Sequence, residues 1–254
     1  PMPLGPRPRP PVIPSRIDLA KAEGQFYVAD VYRGSGMERI PRGTVKWLRV
    51  VESPEKRFWT HASWQGGTGT QAPGMAWNDF NNKRILGTVP VADDGSVSFT
   101  VPADRFVYFQ LLDAEGRMLQ SMRSGTIVRP GEISSCTGCH EDRRTSAVAY
   151  QVPESRARQP SRLQPWYGPQ RLFSYTAEVQ PVFDKHCTSC HDYGKEAGEK
   201  LNLAGDLGLV FNTSYVELRS KGYVQVVGAG PHTVQMPKTW GSHASRLTKY
   251  LIEG

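Results

Sequence analysis

The pattern of apolar and polar positions indicates β-strands between about residues 24 and 128, through segments rich in aromatic and β-branched residues and through alternation. The clearest case is Ser96–Val101, which follows the turn residues Asp93, Asp94 and Gly95. Period-two alternation is typical of a strand with one buried face. The predicted strands are 25–31, 44–51, 96–101, 106–112 and 118–122, the last two joined by a hairpin at 113–116. Short strands at this spacing predict a β-sandwich-like domain.

Apolar residues recur with helical spacing in the last third of the chain. Residues 175–186 predict a helix that Pro181 kinks or shortens. A Gly-rich loop region is expected to follow, and a final helix is predicted to begin with Ser242 as its N-cap. The predicted apolar faces are Val179, Val182 and Phe183 on the first helix and Leu247, Tyr250 and Leu251 on the last.

Composition divides the chain into four segments. Residues 1–22 are predicted to be a Pro-rich linker, because the first sixteen hold seven prolines and favour an extended tether. Residues 23–150 form the predicted middle domain and 151–170 a polar linker. Residues 171–254 form a second, mainly α domain. The Pro-rich start and the helical pattern that continues to the last residues favour a mature or excised piece of a longer protein, with the last domain truncated.

All four cysteines fall into two Cys-x-x-Cys-His motifs, Cys136-Thr-Gly-Cys139-His140 and Cys187-Thr-Ser-Cys190-His191. Such motifs are typical of c-type haem attachment. Two thiols about one helical turn apart reach the two vinyl groups of a porphyrin, and the His ligates iron on the proximal side. The sequence therefore predicts two covalently bound haem c groups. The predicted haem-binding residues are Cys136, Cys139, Cys187 and Cys190, with His140 and His191 as proximal iron ligands.

Three other interpretations of the cysteines are less favoured. A thioredoxin-like redox pair needs a βαβ unit, which neither motif has around it. A structural zinc site of four thiolates leaves both motif histidines without a role. Two disulfides are compatible with a secreted chain. Haem attachment to such motifs takes place outside the bacterial cytoplasm, so the predicted location is periplasmic or extracytoplasmic. A helix leading into the second motif, a loop region and a closing helix match the layout of a small cytochrome c.

The distal ligands remain open. For the second haem the possibilities are His232, Met236, His243 or a residue beyond the end of the chain. For the first haem they are His61 and, less favoured, Met75 and Met122. His186 directly precedes Cys187 and is expected to be constrained away from either iron.

Bulk properties exclude other classes of function. The 254 residues carry a formal net charge of +7, but Lys and Arg are scattered rather than clustered. This favours a basic surface partly neutralised by haem propionates over nucleic-acid binding. No apolar run approaches the length of a membrane-spanning helix.

Several short strings lead into the first motif: residues 86–91, 94–96, 112–116, 122–124 and 130–132. Together with 136–141 they resemble the middle domain of the hydrazine synthase alpha subunit family. Residues 241–247 resemble the closing segment of the cytochrome domain that follows it. The resemblance implies an α+β protein, with a mainly β N-terminal part that carries a haem at its end and a small, mainly α cytochrome c-like domain. It also implies an upstream β-propeller, tethered by the Pro-rich start.

This sequence departs from the pattern of the family at one position. Catalytic members have a Tyr four residues beyond the first motif His, which ligates iron and frees that His for zinc. Here the position is Arg144, so His140 is expected to bind iron in the ordinary way.

Electron transfer by a dihaem cytochrome module, to a redox partner or other subunits, is the favoured function, and a non-enzymatic role is preferred. The alternative is a hydrazine synthase-like enzyme whose open first haem acts on small nitrogen species. A third hypothesis makes the β-domain a scaffold that docks another subunit through Trp59, Trp64 and Trp77.

Overall fold

The computed structural model describes residues 5, 11–34, 36–54, 83–139, 153–208, 211–227 and 235–253. Its strands are β1 Glu23–Val28, β2 Trp47–Glu52, β3 Arg84–Pro90, β4 Val97–Pro102, β5 Val107–Leu112, β6 Met118–Ser121 and β7 Ile133–Cys136. The α-helices are α1 Tyr175–Glu178, α2 Gln180–His186, α3 Glu196–Lys200, α4 Thr213–Ser220 and α5 Arg246–Glu253. Short 3₁₀ helices occur at Met37–Arg39, Glu154–Arg156 and Gly241–His243.

The seven strands form two sheets around one core. Strands β4, β1 and β7 form the first sheet, in which β1 pairs antiparallel with β4 and parallel with β7. Strands β3, β2, β5 and β6 form an antiparallel second sheet. Phe26 and Phe99 of the first sheet meet Phe109 of the second at ring-centroid distances of 5.1 and 5.3 Å. These edge-on contacts join the inner faces of the sheets, as in the predicted sandwich.

Two strands were not predicted from the sequence. β3 contains Gly87, at φ 151°, and ends on Pro90, both of which obscure a strand pattern. β7 is short and Ser-rich, and Ile133 at its start is 64% exposed. It exists because its backbone pairs with β1, a partner more than a hundred residues earlier, and local patterning does not reveal such a pairing.

The polar stretch predicted as a linker lies along the edges of both sheets. Ser161 donates to the carbonyl of Ser98 in β4 at 2.8 Å. Gln164 exchanges two backbone hydrogen bonds of 2.9 Å with Thr88 in β3. The segment therefore covers one edge strand of each sheet, which satisfies backbone groups that an edge leaves unpaired.

The predicted helix at 175–186 is present but divided. It breaks at Val179, so that Pro181 lies in the first turn of α2, where its missing N–H costs no hydrogen bond. Phe183 is buried, whereas Val182 is 53% exposed, so the prediction that both lie on one apolar face is wrong. A short helix, α3, interrupts the region expected to be a loop, and α4 comes after that region.

The final helix begins later than predicted. Ser242 lies in a 3₁₀ turn and α5 starts at Arg246, so Ser242 is not its N-cap. The Ser242 hydroxyl instead accepts the backbone N–H of Met118 at 3.1 Å, which ties this turn to β6. Within the described ranges, no helix has both the length and the apolar character needed to cross a membrane.

Candidate functional site: the two Cys-x-x-Cys-His segments

The second motif forms a helical turn at the end of α2. The Cys187 carbonyl accepts the N–H of Cys190 at 3.1 Å and that of His191 at 2.8 Å. Both thiols and the imidazole therefore belong to one turn of backbone. This is the spacing that two thioether bonds and a proximal histidine require.

The imidazole of His191 is oriented by a backbone carbonyl. Its Nδ1 lies 2.9 Å from the oxygen of Leu201. Because a carbonyl only accepts, Nδ1 carries the proton and the lone pair of the neutral ring is on Nε2. A His that donates one ring N–H in this way presents its other nitrogen to a metal in a fixed tautomer. The Leu203 N–H also donates to the His191 carbonyl, at 2.9 Å, which holds segment 201–203 against the motif.

The Cys187 side chain lies at the border of the small C-terminal core. It packs against the buried residues of this cluster, Phe183, Leu201, Leu203 and Leu218. Burial raises the pKa of the Cys187 thiol, so the thiol stays protonated at neutral pH. Lys195 closes the turn, since its Nζ donates to the carbonyls of Thr188 at 2.9 Å and Ser189 at 2.8 Å.

The first motif has a different backbone. Cys136 is the last residue of β7, and its carbonyl accepts the N–H of Ala29 at 2.9 Å. Cys139 donates its N–H to the carbonyl of Arg33 at 2.8 Å. The described part of the motif is a strand end followed by a bend, with backbone hydrogen bonds to Ala29 and Arg33.

Gly138 is required by this arrangement. A Cβ at Gly138 would lie 2.7 Å from both the Cβ and the carbonyl oxygen of Arg33. Backbone atoms cannot move aside as a side-chain tip can, so only glycine fits between Thr137 and Cys139. Both cysteines of the motif are half-buried and pack against the large β core. His140 lies outside the described residues, so the geometry bears on the two thiols alone.

The four cysteines do not gather into one metal site. In the part of the chain that the structure describes, no three His, Cys, Asp or Glu side chains are placed to hold an ion together, and all four cysteines belong to that part. No disulfide joins any two of them. The donor sets that the structure assembles are the separate motifs.

Two of the possible distal ligands lie far along the chain from the motifs but against the β-domain. His243 Nε2 is 3.0 Å from Oδ2 of Asp113. Burial lowers the pKa of His243. Met236 is 36% exposed and lies over Gly36. Met122 packs against the β core, and His186 is exposed. His61, Met75 and His232 lie outside the described residues, as do Arg144 and the three tryptophans at 59, 64 and 77.

Three contributors to the motifs were missed in the sequence. They are the Leu201 carbonyl that orients His191, Lys195 that closes the second motif, and Arg33 that receives the first. A backbone carbonyl has no signature in the side-chain sequence. Gly138, however, stands where the second motif has Ser189, and that difference was a visible signal of a close backbone approach.

Fold and motifs define a two-sheet β-domain that ends in a Cys-x-x-Cys segment, followed by a small helical region with a second motif. Residues 43–141 match the family model described as the hydrazine synthase alpha subunit middle domain. The chain therefore contains a region similar to the middle domain of the hydrazine synthase alpha subunit family.

Solved structures extend the comparison of the fold. The chain is similar to Kuenenia stuttgartiensis hydrazine synthase, with a TM-score of 0.57 and 18% identity over 78% of this chain. It spans 33% of that structure's chain. A second match, the Bacillus anthracis TIE protein, has 13% identity, a TM-score of 0.25 and covers 47% of this chain and 17% of its own. No curated protein matches significantly.

Proposed function

We propose that this chain is a dihaem c-type cytochrome module that transfers electrons in the periplasm or another extracytoplasmic compartment. The observation that carries the proposal is the second motif, where one helical turn presents two thiols and a His whose Nδ1 donates to the Leu201 carbonyl at 2.9 Å. The match of residues 43–141 to the hydrazine synthase alpha subunit middle domain supports a redox role.

The residues present fit the group. Cys187 and Cys190 would hold it by thioether bonds, and Nε2 of His191 would bind the iron. A haem held in this way would supply a one-electron couple. The chain orients the imidazole through Leu201, and the apolar cluster around Cys187 keeps water from one side of the site. In the first motif Cys136 and Cys139 would have the same role, with His140 as the proximal ligand.

Redox partner proteins, and other subunits of an assembly, are the partners that this function requires. The alternative function, an enzyme of small nitrogen species with an open first haem, draws on the same middle-domain match. It differs from electron transfer in one property that can be measured. An enzyme needs a free coordination position on one iron, whereas a pure carrier keeps both irons closed.

Haem content tests the proposal. The full chain, made in a periplasm that attaches haem, should carry two haems by intact mass and by pyridine haemochrome absorbance. The double variant Cys187→Ser/Cys190→Ser should carry one, as should Cys136→Ser/Cys139→Ser. Ser189→Ala, inside the second motif but with an exposed side chain that the chemistry does not use, should still carry two. A wild-type chain with no covalent haem sinks the proposal.

Carbon monoxide separates the two functions. If the spectrum of the dithionite-reduced protein is unchanged by carbon monoxide, both irons are closed and electron transfer stands. If about half of the haem shifts, one site is open and the enzyme is favoured. The Cys136→Ser/Cys139→Ser variant then tells which haem is open, because it retains only the second.

A further inference from the structure

Residues 235–245 contact both halves of the protein; we call them the docking segment. On the β-domain side, Lys238 donates its N–H to the Leu119 carbonyl at 2.9 Å. The Gln120 side chain donates to the Gln235 carbonyl at 2.7 Å. Together with the hydrogen bond from the Met118 N–H to Ser242, these contacts lie along β6, an edge strand of the second sheet. The docking segment thus covers an edge that would otherwise be exposed.

Two methionines pack between the β-domain and the docking segment, one from each side. Met118 of β6 places its Cε where a side chain on Gly241 would stand, since a Cβ there would lie 2.5 Å from it. Met236 of the docking segment does the same over Gly36, where a Cβ would overlap its Cε and lie 2.9 Å from its Sδ. The β-domain and the docking segment therefore each supply one methionine, and each has one glycine whose missing side chain leaves a socket for the other's methionine. Methionine fills such irregular gaps well because its chain is unbranched and flexible.

The docking segment is equally tied to the C-terminal core. Gly241 donates its N–H to the Gln225 carbonyl at 2.9 Å, and the Ser245 hydroxyl accepts from the Gln225 N–H at 3.0 Å. Leu247, which follows directly, donates to the Tyr223 carbonyl at 2.9 Å. Tyr223 and Leu247 both pack on the cluster that contains Cys187. The docking segment is therefore connected to the second motif through Tyr223 and Leu247.

On the other side the contacts lead to the first motif. Ala29 and Arg33 form backbone hydrogen bonds with Cys136 and Cys139 of the first motif. Gly36, three residues after Arg33, packs against Met236 and Pro237. The same short stretch of the β-domain thus holds one motif and the docking segment. Neither contact set was visible in the sequence, since the partners are separated by more than a hundred residues.

We propose that the docking segment fixes the distance and orientation between the two motifs, and that Gly241 and Met118 are positioning residues for electron transfer between them. The role in electron transfer rests on the proposed function, whereas the contacts of the docking segment do not. Electron transfer slows steeply as two redox centres separate, so a loosened docking segment should slow internal transfer without changing either haem.

The test compares two glycines with nearly the same positive φ. Gly241 and Gly222 have φ of 68° and 67°, so both lie in the left-handed range that disfavours alanine. Only Gly241 has a neighbour, because nothing lies within 4 Å of a Cβ at Gly222. Any difference between Gly241→Ala and Gly222→Ala therefore measures the loss of the Met118 contact. If Gly241→Ala does not fold, Ser242→Ala replaces it, since that variant removes only the acceptor of the Met118 N–H.

Hydrogen exchange of the Met118 amide is the first measurement, because that N–H is donated to the docking segment. Gly241→Ala should accelerate this exchange roughly tenfold more than Gly222→Ala, the size typical of contacting residues. In a double-mutant cycle, Met118→Ala should accelerate exchange of the amide at position 118 less in the Gly241→Ala variant than in the wild type. In the Gly222→Ala variant it should accelerate that exchange as much as in the wild type. Equal exchange in the two glycine variants would overturn the docking proposal.

Internal electron transfer is the second measurement, followed after rapid reduction with less than one equivalent of reductant. Gly241→Ala should slow redistribution between the haems while the spectrum of each haem stays that of the wild type. Faster exchange with unchanged electron transfer would overturn the positioning role and leave the docking contact standing. A chain that carries fewer than two haems refutes the proposed function instead, and the exchange experiment still decides whether the segment docks.

Discussion

The β-domain and the C-terminal region differ in how far their own side chains can stabilise them. Among the described residues, the β core holds nineteen buried residues, and the C-terminal core holds four. In the C-terminal region, several large apolar side chains remain exposed, among them Leu207, Val216, Tyr250, Leu251 and Ile252. Small regions with so little buried surface usually need a metal, a cofactor or a cross-link. We therefore expect the β-domain to fold without a haem at the first motif, and the C-terminal region to depend on a haem at the second.

The largest effect should come from removing the cysteines of the second motif. Without attachment, Cys187→Ser/Cys190→Ser should lose protection from hydrogen exchange throughout α2 and α4, because folding and cofactor binding are coupled in such a region. The matched variant Cys136→Ser/Cys139→Ser should leave β2 and β5 protected as in the wild type. Equal loss of protection in both regions, or in neither, would break the comparison.

A cavity in the β core should have the next largest effect. Phe99 is fully buried and contacts Phe26 and Phe109, so Phe99→Ala should lower the free energy of unfolding of the β-domain by about 3–5 kcal/mol. Chemical denaturation followed by circular dichroism measures it. Val182→Ala on the exposed side of α2 should change stability by less than about 0.5 kcal/mol. A β-domain indifferent to Phe99→Ala would show that its core is not self-sufficient.

A substitution at the third position of each motif should sharpen the comparison between them. Gly138→Ala should destabilise the first motif by about 1–3 kcal/mol, because its Cβ would meet backbone atoms of Arg33. Ser189→Ala, at the matching position of the second motif, should have no measurable effect, since that side chain is exposed. Thermal unfolding of the two variants side by side is the measurement. Similar melting temperatures would mean that Arg33 does not hold the first motif.

The smallest effect concerns the turn of the β-domain that receives Met236. Glu38 accepts the Gly34 N–H at 2.8 Å, and hydrogen bonds from the backbone of Glu38 itself and of Gly34 lower the pKa of this carboxyl. Its contribution to stability is therefore complete above the ordinary value of about 4.3 and is lost as pH falls through the lower folded-state pKa. Hydrogen exchange of the Gly34 amide should accelerate in that acid window in the wild type. In Glu38→Gln it should show no such step beyond the intrinsic dependence on pH.

Much of the architecture could be predicted from local patterns. Alternation at 96–101 and the turn residues at 113–116 correspond to β4 and to the β5–β6 hairpin, because a half-buried strand and a tight turn constrain the nearby sequence directly. The helix that enters the second motif was visible for the same reason. β7 was not, since a strand of Ser-rich sequence exists only through its parallel pairing with β1.

The candidate site divides in the same way. The sequence by itself determined which thiols and histidines belong together, because the chemistry of the motif requires them within five consecutive residues. It also predicted the resemblance to the hydrazine synthase alpha subunit middle domain that the family comparison confirms.

Only the tertiary structure decided how those residues are held. The Leu201 carbonyl that selects the His191 tautomer, the Arg33 backbone that demands Gly138, and the methionine sockets at Gly36 and Gly241 all join distant parts of the chain. Backbone acceptors and empty space leave no trace in the side-chain pattern. They come into existence only when the chain has folded and brought those parts together.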